Sequence, residues 1–451
     1  MKSIRHEPSS LIEAVKRIPQ ERAFLVTKDL RYKYKDIVAL SDSFSSEYPY
    51  LEQQNCAVIS TDRESLAIYL PAIDNLSNKL FLLPQDAGEH FEYFLQTAEI
   101  DYVIYLSDAK VSRVRKLLTH KKQEKDDSPG YILSTSGTTG VPKLVSYTLN
   151  SLLAKTKTDV SRGKDFTWGL TYDINRFAGL QVYLQVISSG STLAIPSNNA
   201  SMSDLIYLFS REHVNALSGT PSFWRKLLME PNHRALKLHQ ITLGGEISNQ
   251  SVLSALSQRY PSAAISHIYA STEAGVGFVV KDKKEGFPIS FLSKNSNLAC
   301  QLKIVNGNLW IKSANGCTKF LKGELNVDEQ EFIDSGDMVK VLKDRVIFLG
   351  RESGAINVGG NKVMPEKIES ILEQHHYVVM SKVYAKSNPV LGSLVACEVV
   401  LEESAKSLSQ NDVKRNVLSF CREQLEGFEV PALLKVVDSI PVSATGKKVR
   451  Y

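Results

Sequence analysis

Cysteine is scarce in this chain, with five residues (Cys56, Cys300, Cys317, Cys397, Cys421) that are odd in number, far apart and never in a C-x-x-C pair. That pattern argues against a Cys-built zinc site and suits a reducing compartment, the cytosol by default. An excess of one charge sign is also lacking. Lys plus Arg against Asp plus Glu is 54 against 49, a net +5 over 451 residues. This is too little for a nucleic-acid footprint, so substrate charge must be read locally. Met1 to Ser10 holds His6, Glu7 and Pro8 and no apolar core, so no secretory signal is visible. A long unbroken apolar run is missing as well. Phe177 to Ser203 is uncharged, but Gln181, Gln185, a Ser/Thr run over 188–192, Pro196 and two Asn break it, and no integral membrane segment is expected. What is present, 43% hydrophobic and 23% charged residues with 25 Gly and 16 Pro, is the composition of an ordinary globular protein. At about 150 residues per domain the length gives roughly three domains.

The first third alternates apolar runs (Ala57 to Ile59, Leu80 to Leu83, Tyr102 to Leu106) with helical patterns (Ser65 to Leu76, His90 to Ala98). Such alternation predicts an α/β layered domain with parallel strands. The charged segment His120 to Ser128, closed by Pro129-Gly130, reads as an exposed loop. From Tyr131 the rhythm resumes, with a strand at Ser191 to Ile195, helices at Met202 to Glu212 and Ser248 to Gln258, and a strand at Ala264 to Ile268. After Lys281 the texture changes. Leu302 to Val305, Asn308 to Ile311, Met338 to Leu342 and Val346 to Leu349, with turns at Asn306-Gly307 and Lys343-Asp344, predict antiparallel hairpins. The last hundred residues return to mixed α/β, with helices at Pro365 to Gln374 and Ser409 to Gln424 and a strand at Leu433 to Val437. No internal repeat or low-complexity tract is present.

The most informative segment is Ser134-Thr135-Ser136-Gly137-Thr138-Thr139-Gly140-Val141-Pro142-Lys143, after the apolar triplet Tyr131-Ile132-Leu133. Five hydroxyls, two Gly and a Lys in ten residues supply donors, close backbone approach and positive charge for phosphate oxygens. A Walker loop requires G-x-x-x-x-G-K-S/T, which neither Gly137 nor Gly140 satisfies. The bland alternative is a Ser/Thr-rich surface turn.

At this loop the sequence resembles the adenylate-forming superfamily, which includes acyl-CoA synthetases, firefly luciferase and the adenylation domains of peptide synthetases. Four later segments are similar to that family in order and spacing. The first is Gly244-Gly245-Glu246, with Tyr269-Ala270-Ser271-Thr272-Glu273 after a helix. The resemblance implies that the Gly-Gly-acid turn and Tyr269 flank adenine, Thr272 contacts the α-phosphate and Glu273 holds Mg²⁺, a hard cation suited to carboxylate and phosphate oxygens. Without the family a Thr-Glu pair reads as a helix cap. The second is Asp334-Ser335-Gly336-Asp337, where Asp337 would accept from the ribose hydroxyls and Ser335 stands where Thr is usual; alone, the tetrapeptide reads as a hairpin turn. The third runs from Leu349 to Gly360. In it Arg351 would contact ribose or phosphates, Ser353 occupies a hinge position that usually holds Asp or Lys, and Gly359-Gly360 would let a thiol-bearing arm pass where a Cβ would obstruct it. The fourth is Pro441 to Lys447, which makes Lys447 the cation bridging the attacking carboxylate and the α-phosphate.

The resemblance implies an α/β fold with two parts. A large N-terminal domain, residues 1–352, would hold layered α/β subdomains and a β-rich subdomain. A small mobile α+β domain, residues 353–451, would carry Lys447. It also implies an ATP- and Mg²⁺-dependent acid–thiol ligase that activates a small or medium carboxylic acid as an acyl-adenylate and passes it to CoA or a separate carrier protein. Amino-acid activators carry an Asp after an aromatic near Tyr172-Asp173. Counting from the Gly190 turn places Asp173 about one helical turn too early, and the cation Arg176 does not suit an ammonium. A carboxylic acid without an α-amine is therefore favoured over amino-acid activation. Arg176, Phe177, Trp224, His267 and Ala270 are expected to line the acyl pocket, with ordinary core packing the alternative for Trp224 and His267. Ala270 replaces a usual Gly and would shorten the cavity. A different class, a nucleotide-binding scaffold or sensor without turnover, stays open; Lys447, Glu273 and Asp337 argue against it.

Overall fold

The computed structural model describes residues 8–117, 130–134, 143–271, 274–293, 296, 298–313, 316–317, 319–322, 326–389, 392–442 and 447–448. Among them the chain forms four sheets. The predicted loop at His120 to Ser128 lies outside the described residues.

Short apolar runs between helical patterns become strands buried on both faces, as parallel sheets require. In one seven-stranded sheet Gly130–Ser134, Lys79–Leu82, Asn55–Ser60 and Tyr102–Ser107 are parallel neighbours. Antiparallel strands close its edges: Leu144–Tyr147 and Lys319–Lys322 on one side, Lys110–Lys116 on the other. An eight-stranded sheet runs Gly275–Val280, Ala264–Ser271, Gln240–Gly244, Ala216–Gly219, Thr167–Gly169, Thr192–Ala194, Ala23–Val26, Arg31–Lys33, parallel except at its two ends.

Helices fill the space between these sheets. Arg63–Leu76 starts where Asp62 caps it, the carboxylate accepting from Ser65 N–H at 2.6 Å. Phe177–Ser189 ends on Gly190 in the left-handed region. This second helix is the first part of the uncharged run noted in the sequence. It is 13 residues long and packs into the core through Leu180, Val182, Tyr183, Leu184, Val186 and Ile187. Its low charge therefore reflects burial between two sheets. No helix among the described residues is long and apolar enough to cross a membrane.

The predicted hairpins form a third, wholly antiparallel sheet ordered Phe287–Pro288, Arg345–Arg351, Ile333–Leu342, Asn308–Ser313, Cys300–Val305. Its own core is built on Phe278, Phe287, Leu309, Ile311 and Val346. The turn Glu352–Gly354 leads to the fourth sheet, made of Asn361–Val363, Ile356–Val358, Gly392–Leu401, Val378–Asn388 and Leu433–Val436. The amphipathic helices Pro365–Leu372 and Gln410–Gln424 cover it and share a separate core with it.

Tyr183 crosses from its helix to donate a buried 2.7 Å hydrogen bond to the Ala67 carbonyl in Arg63–Leu76. Tyr183→Phe is expected to lower the free energy of unfolding by about 1 kcal/mol, measured by denaturant titration. An unchanged midpoint would show that the bond contributes nothing to holding the two helices together.

Candidate active site

Ligands of open α/β sheets bind outside the carboxyl ends of the strands, and a cleft of about 340 Å³ opens there. Gln240–Gly244 and Ala264–Ser271 are adjacent parallel strands. The first ends in Gly244-Gly245-Glu246 and the second carries His267, Tyr269 and Ala270, so pairing brings two distant sequence segments to one wall. Gly245 has φ +82°, a conformation that side-chain-bearing residues rarely adopt. A Cβ placed there would sit 3.7 Å from Lys447 Cε, which measures how closely the terminal segment approaches this turn. Lys447, Gly245, Glu246, His267, Tyr269, Ala270, Asp337 and Arg351 all line the cleft.

The third sheet supplies the opposite wall. Tyr269 donates to Asp337 Oδ2 at 2.6 Å, and Arg351 Nε lies 3.2 Å from Oδ1, so both carboxylate oxygens are fixed. The Tyr269 ring lies nearly parallel to Phe278 and Phe348, at 5.1 and 5.3 Å between centroids. Burial and the Asp337 charge raise the Tyr269 phenol well above its usual range, which keeps it a hydrogen-bond donor. Asp334 to Asp337 lie inside the strand Ile333–Leu342 rather than in the hairpin turn that the tetrapeptide alone suggests. Ser335, in the place of the usual Thr, donates to Leu309 O at 2.6 Å and accepts from Asp337 N–H at 3.2 Å, so its hydroxyl sets the backbone that aims Asp337.

Glu246 does more than form a wall. Its carboxylate accepts from Ser222 N–H at 2.9 Å, at the positive start of helix Pro221–Met229, and from Lys448 N–H at 3.0 Å. Ser222 is among the cleft-lining residues, and its Oγ is buried without a hydrogen-bond partner.

The residues expected to line an acyl pocket do not gather in one place. His267 and Ala270 line the cleft, and His267 also contacts Lys284 O at 2.9 Å. Trp224 does not: it is fully buried beneath the sheet, with Nε1 donating to Thr242 O at 3.1 Å. Its assignment to the pocket is corrected to core packing, the alternative left open for it, because the helix beginning at Pro221 carries this side chain into the core under Thr242. Phe177 packs on Tyr147, 5.6 Å between rings, against the core shared by the two large sheets. Arg176 belongs to a second cavity of about 300 Å³ with Arg63, Asp86, Asp173 and Asn175, where it pairs with Asp86 at 2.6 Å. Asp173 is taken by Arg63 Nε at 2.7 Å.

Ser353 is exposed in the turn that joins the third and fourth sheets. Gly359 and Gly360, with φ +56° and +90°, form the exposed tip between Ile356–Val358 and Asn361–Val363 and do not line the cleft. Lys143 is half-buried at the start of Leu144–Tyr147. Thr135, Ser136, Gly137, Thr138, Thr139, Gly140, Thr272 and Glu273 lie outside the described residues, as do residues 443–446. No cluster of three His, Cys, Asp or Glu suited to a metal occurs among the described residues.

Sequence reasoning missed a nearly buried ionic cluster in the wall of the cleft. Glu373, with its side chain 3% exposed, accepts from Lys448 Nζ at 2.8 Å and Asn249 Nδ2 at 2.9 Å and lies 2.9 Å from Arg225 Nη2. Lys448 also reaches Glu369 at 3.0 Å. A faint signal existed. Glu369 and Glu373 are like charges four apart, and Glu373 caps a helix C-terminus, both unfavourable without a nearby cation.

Burial pushes the Glu373 carboxyl up, but Arg225 and Lys448, with the hydrogen bonds from Lys448 and Asn249, outweigh it and hold the group at about 2 against an ordinary 4.5. A carboxylate with a depressed native pKa contributes stability above pH 4.5 that is lost as pH falls toward 2. Glu373→Gln is therefore expected to lose less unfolding free energy than the parent between pH 5 and pH 3. Parallel losses in the two proteins would contradict an ionised, paired Glu373.

Comparison with known proteins gives concordant findings. Residues 53–309 match the AMP-binding enzyme family, and residues 367–447 match the AMP-binding enzyme C-terminal domain. A plipastatin synthase polypeptide of Bacillus subtilis (strain 168) is 25% identical over 71% of this chain, which spans only 14% of that protein's length. The 2-succinylbenzoate--CoA ligase of the same strain is 21% identical, covering 99% of this chain and 97% of the ligase. Among solved structures, the anthranilate CoA ligase AuaEII in complex with anthranoyl-AMP superposes with a TM-score of 0.78 at 15% identity, over 98% of this chain and 96% of that one. ATP-bound MatB from Rhodopseudomonas palustris gives 0.73 at 18% identity, over 98% and 97%. These likenesses show the fold.

Proposed function

The chain belongs to the AMP-binding enzyme family, and on that premise we propose that it is an ATP-dependent acid–thiol ligase working through an acyl-adenylate. The observation that carries this reading is the gathering of Lys447, the Gly245 turn, Tyr269, Asp337 and Arg351 on one cleft, although they come from five separate stretches of sequence. Its volume of about 340 Å³ suits a small organic ligand. Adenine would lie against Tyr269 and the Gly244-Gly245-Glu246 turn, and Asp337, already oriented by Tyr269 and Arg351, would accept from the ribose hydroxyls.

In the first half-reaction a carboxylate oxygen attacks the α-phosphorus, the bond to the β-phosphate oxygen breaks, and pyrophosphate leaves. Lys447 would place its positive charge beside the phosphorus centre, where negative charge concentrates. Mg²⁺ is proposed as ATP's counter-ion, with Glu273 as the chain's carboxylate ligand and phosphate oxygens completing the set; when bound it neutralises phosphate charge. Thr272, Lys143 and residues 135–140 are proposed to hold the phosphates. In the second half-reaction a thiol sulfur attacks the acyl carbon, AMP leaves and the thiol proton is released. Residues 1–352 and 353–451 are proposed as the two domains, with Ser353 as their hinge and Gly359-Gly360 as the passage for the thiol arm.

The acid is proposed to be small or medium and to lack an α-amine, because Asp173 is engaged by Arg63 and is not free to pair an ammonium. CoA is the proposed acceptor, supported by likeness over the whole chain to a CoA ligase. Benzoate-type acids head the panel to test, since relatives are named for 2-succinylbenzoate and anthranilate.

The test is acid-dependent exchange of labelled pyrophosphate into ATP over a panel of carboxylic acids, followed by thioester formation with CoA. A protein that binds ATP yet supports exchange with no acid would be a nucleotide-binding scaffold instead. Lys447→Ala is expected to cut exchange roughly 10²- to 10³-fold while thioester formation from supplied acyl-adenylate survives; equal loss of both would refute the role. Asp337→Asn should raise the KM for ATP roughly tenfold or more, the scale of one charge-assisted hydrogen bond, and leave the order of preferred acids unchanged.

A further inference from the structure

The two half-reactions leave one feature unused, the buried cluster in which side chains from both sides of the Glu352–Gly354 turn meet. Arg225, Asn249 and Glu246 come from the large sheet region; Glu369, Glu373 and Lys448 come from the part of the chain after the turn. Arg225, Glu369, Glu373 and Lys448 are all nearly buried, with side chains 9%, 6%, 3% and 9% exposed. Arg225 also reaches across to donate to Val379 O at 3.1 Å. Two cations face two carboxylates, and the third carboxylate, Glu246, is used by the Ser222 and Lys448 backbone N–H groups.

Lys448 is the residue next to Lys447, and it pairs in an antiparallel bridge with Val442. Neighbours in extended chain point to opposite faces. Both lysines line the cleft: Lys448 turns its Nζ inward to Glu369 and Glu373 in the cleft wall, while Lys447 stays exposed beside the Gly245 turn. The Lys448 Nζ ties the segment to helix Pro365–Leu372 and the residue that caps it, while the Lys448 N–H ties the same segment to Glu246 on the opposite side.

We infer that Lys448 is a positioning residue for Lys447, and that Glu373, shared between Lys448 and Arg225, makes this attachment a reversible latch between the two parts of the chain. The inference rests on the ligase reading for its kinetic consequence, though not for its geometry. Breaking a buried pair by removing one member leaves an uncompensated charge. The cluster is balanced only when Arg225 and Lys448 both reach Glu373, so it favours the closed arrangement that puts Lys447 in the cleft. Its members are also strongly hydrated once exposed, so water can take over their interactions when the parts separate. An apolar patch would gain nothing from water on opening. A latch between parts joined by the proposed Ser353 hinge is therefore better built from charges.

The experiment compares Lys448→Met, Lys448→Arg and Arg225→Gln with the parent. Lys448→Met should lower the kcat of pyrophosphate exchange by about 10²-fold, the scale for misplacing a reacting group by an ångström, with the KM for ATP little changed and thioester formation from supplied acyl-adenylate retained. Lys448→Arg, which keeps the cation, should recover most of the exchange. Loss of both half-reactions together, or full exchange by Lys448→Met, would overturn the positioning role. The second measurement needs no catalysis: the distance between spin labels on Tyr207→Cys and Leu408→Cys, both exposed positions, in a Cys317→Ser background. The parent should give a narrow distribution and both Lys448→Met and Arg225→Gln a broader, longer one. Unchanged distances would overturn the latch. If the parent itself catalyses no exchange with any acid, the ligase reading fails, and the distances alone decide whether the latch exists.

Discussion

Glu373 can stay ionised inside this protein only if cations reach it, and they come from two directions. Arg225 approaches from the helix beneath the large parallel sheet and Lys448 from the end of the chain. Much of the arrangement around the cleft follows from that electrostatic requirement. Satisfying it draws the fourth sheet and its helices against the larger body, seats the terminal segment on Glu246, and leaves Lys447 facing the cleft. The desolvation of four charged side chains is tolerated because each has a partner at hydrogen-bonding distance.

The cleft obeys a second constraint, that of backbone geometry. Parallel strands end on the same side of a sheet, so Gly244 and Tyr269 arrive together although 25 positions separate them in the chain. The third sheet is fixed to this edge by the Tyr269–Asp337 hydrogen bond and by rings packed around Phe278, which also belongs to that sheet's core. Asp337 is thus oriented from three sides: by Tyr269, by Arg351 and, through the backbone, by Ser335. A carboxylate held this way is preorganised to accept hydrogen bonds, a property that a flexible side chain on a loop would lack.

Local pattern carried much of the fold. The helix expected at Met202 to Glu212 forms over Met202–Arg211, started by a Ser201 and Asp204 capping box, and the hairpin over Asn306-Gly307 joins Cys300–Val305 to Asn308–Ser313 as its turn residues predict. The long pair Val378–Asn388 and Gly392–Leu401 went unread because a register shift between Val378 and Met380 breaks the two-residue alternation, and the strand then ends in polar residues. Lys110–Lys116 was hidden for a related reason: it is an edge strand whose exposed Lys and Arg give no apolar signal. The run from Phe177 is uncharged over its helix because a helix sandwiched between sheets is apolar nearly all round.

By itself, then, the sequence determined the α/β rhythm, the hairpin region, the glycines needed at backbone turns, and the motif positions of Lys447, Asp337, Arg351 and the Gly244-Gly245-Glu246 turn. These depend on local propensity and on short spacings that a linear pattern records. Only the tertiary structure decided that Trp224 fills the core, that Arg176 answers Asp86 and Asp173 answers Arg63, and that Lys448 is buried against Glu369 and Glu373 beside its cleft-facing neighbour. The physical reason is that burial and ion pairing depend on which groups are brought within a few ångströms of one another. Two adjacent lysines look alike in sequence, and what separates them is that the fold buries one against Glu369 and Glu373 and leaves the other exposed beside the Gly245 turn.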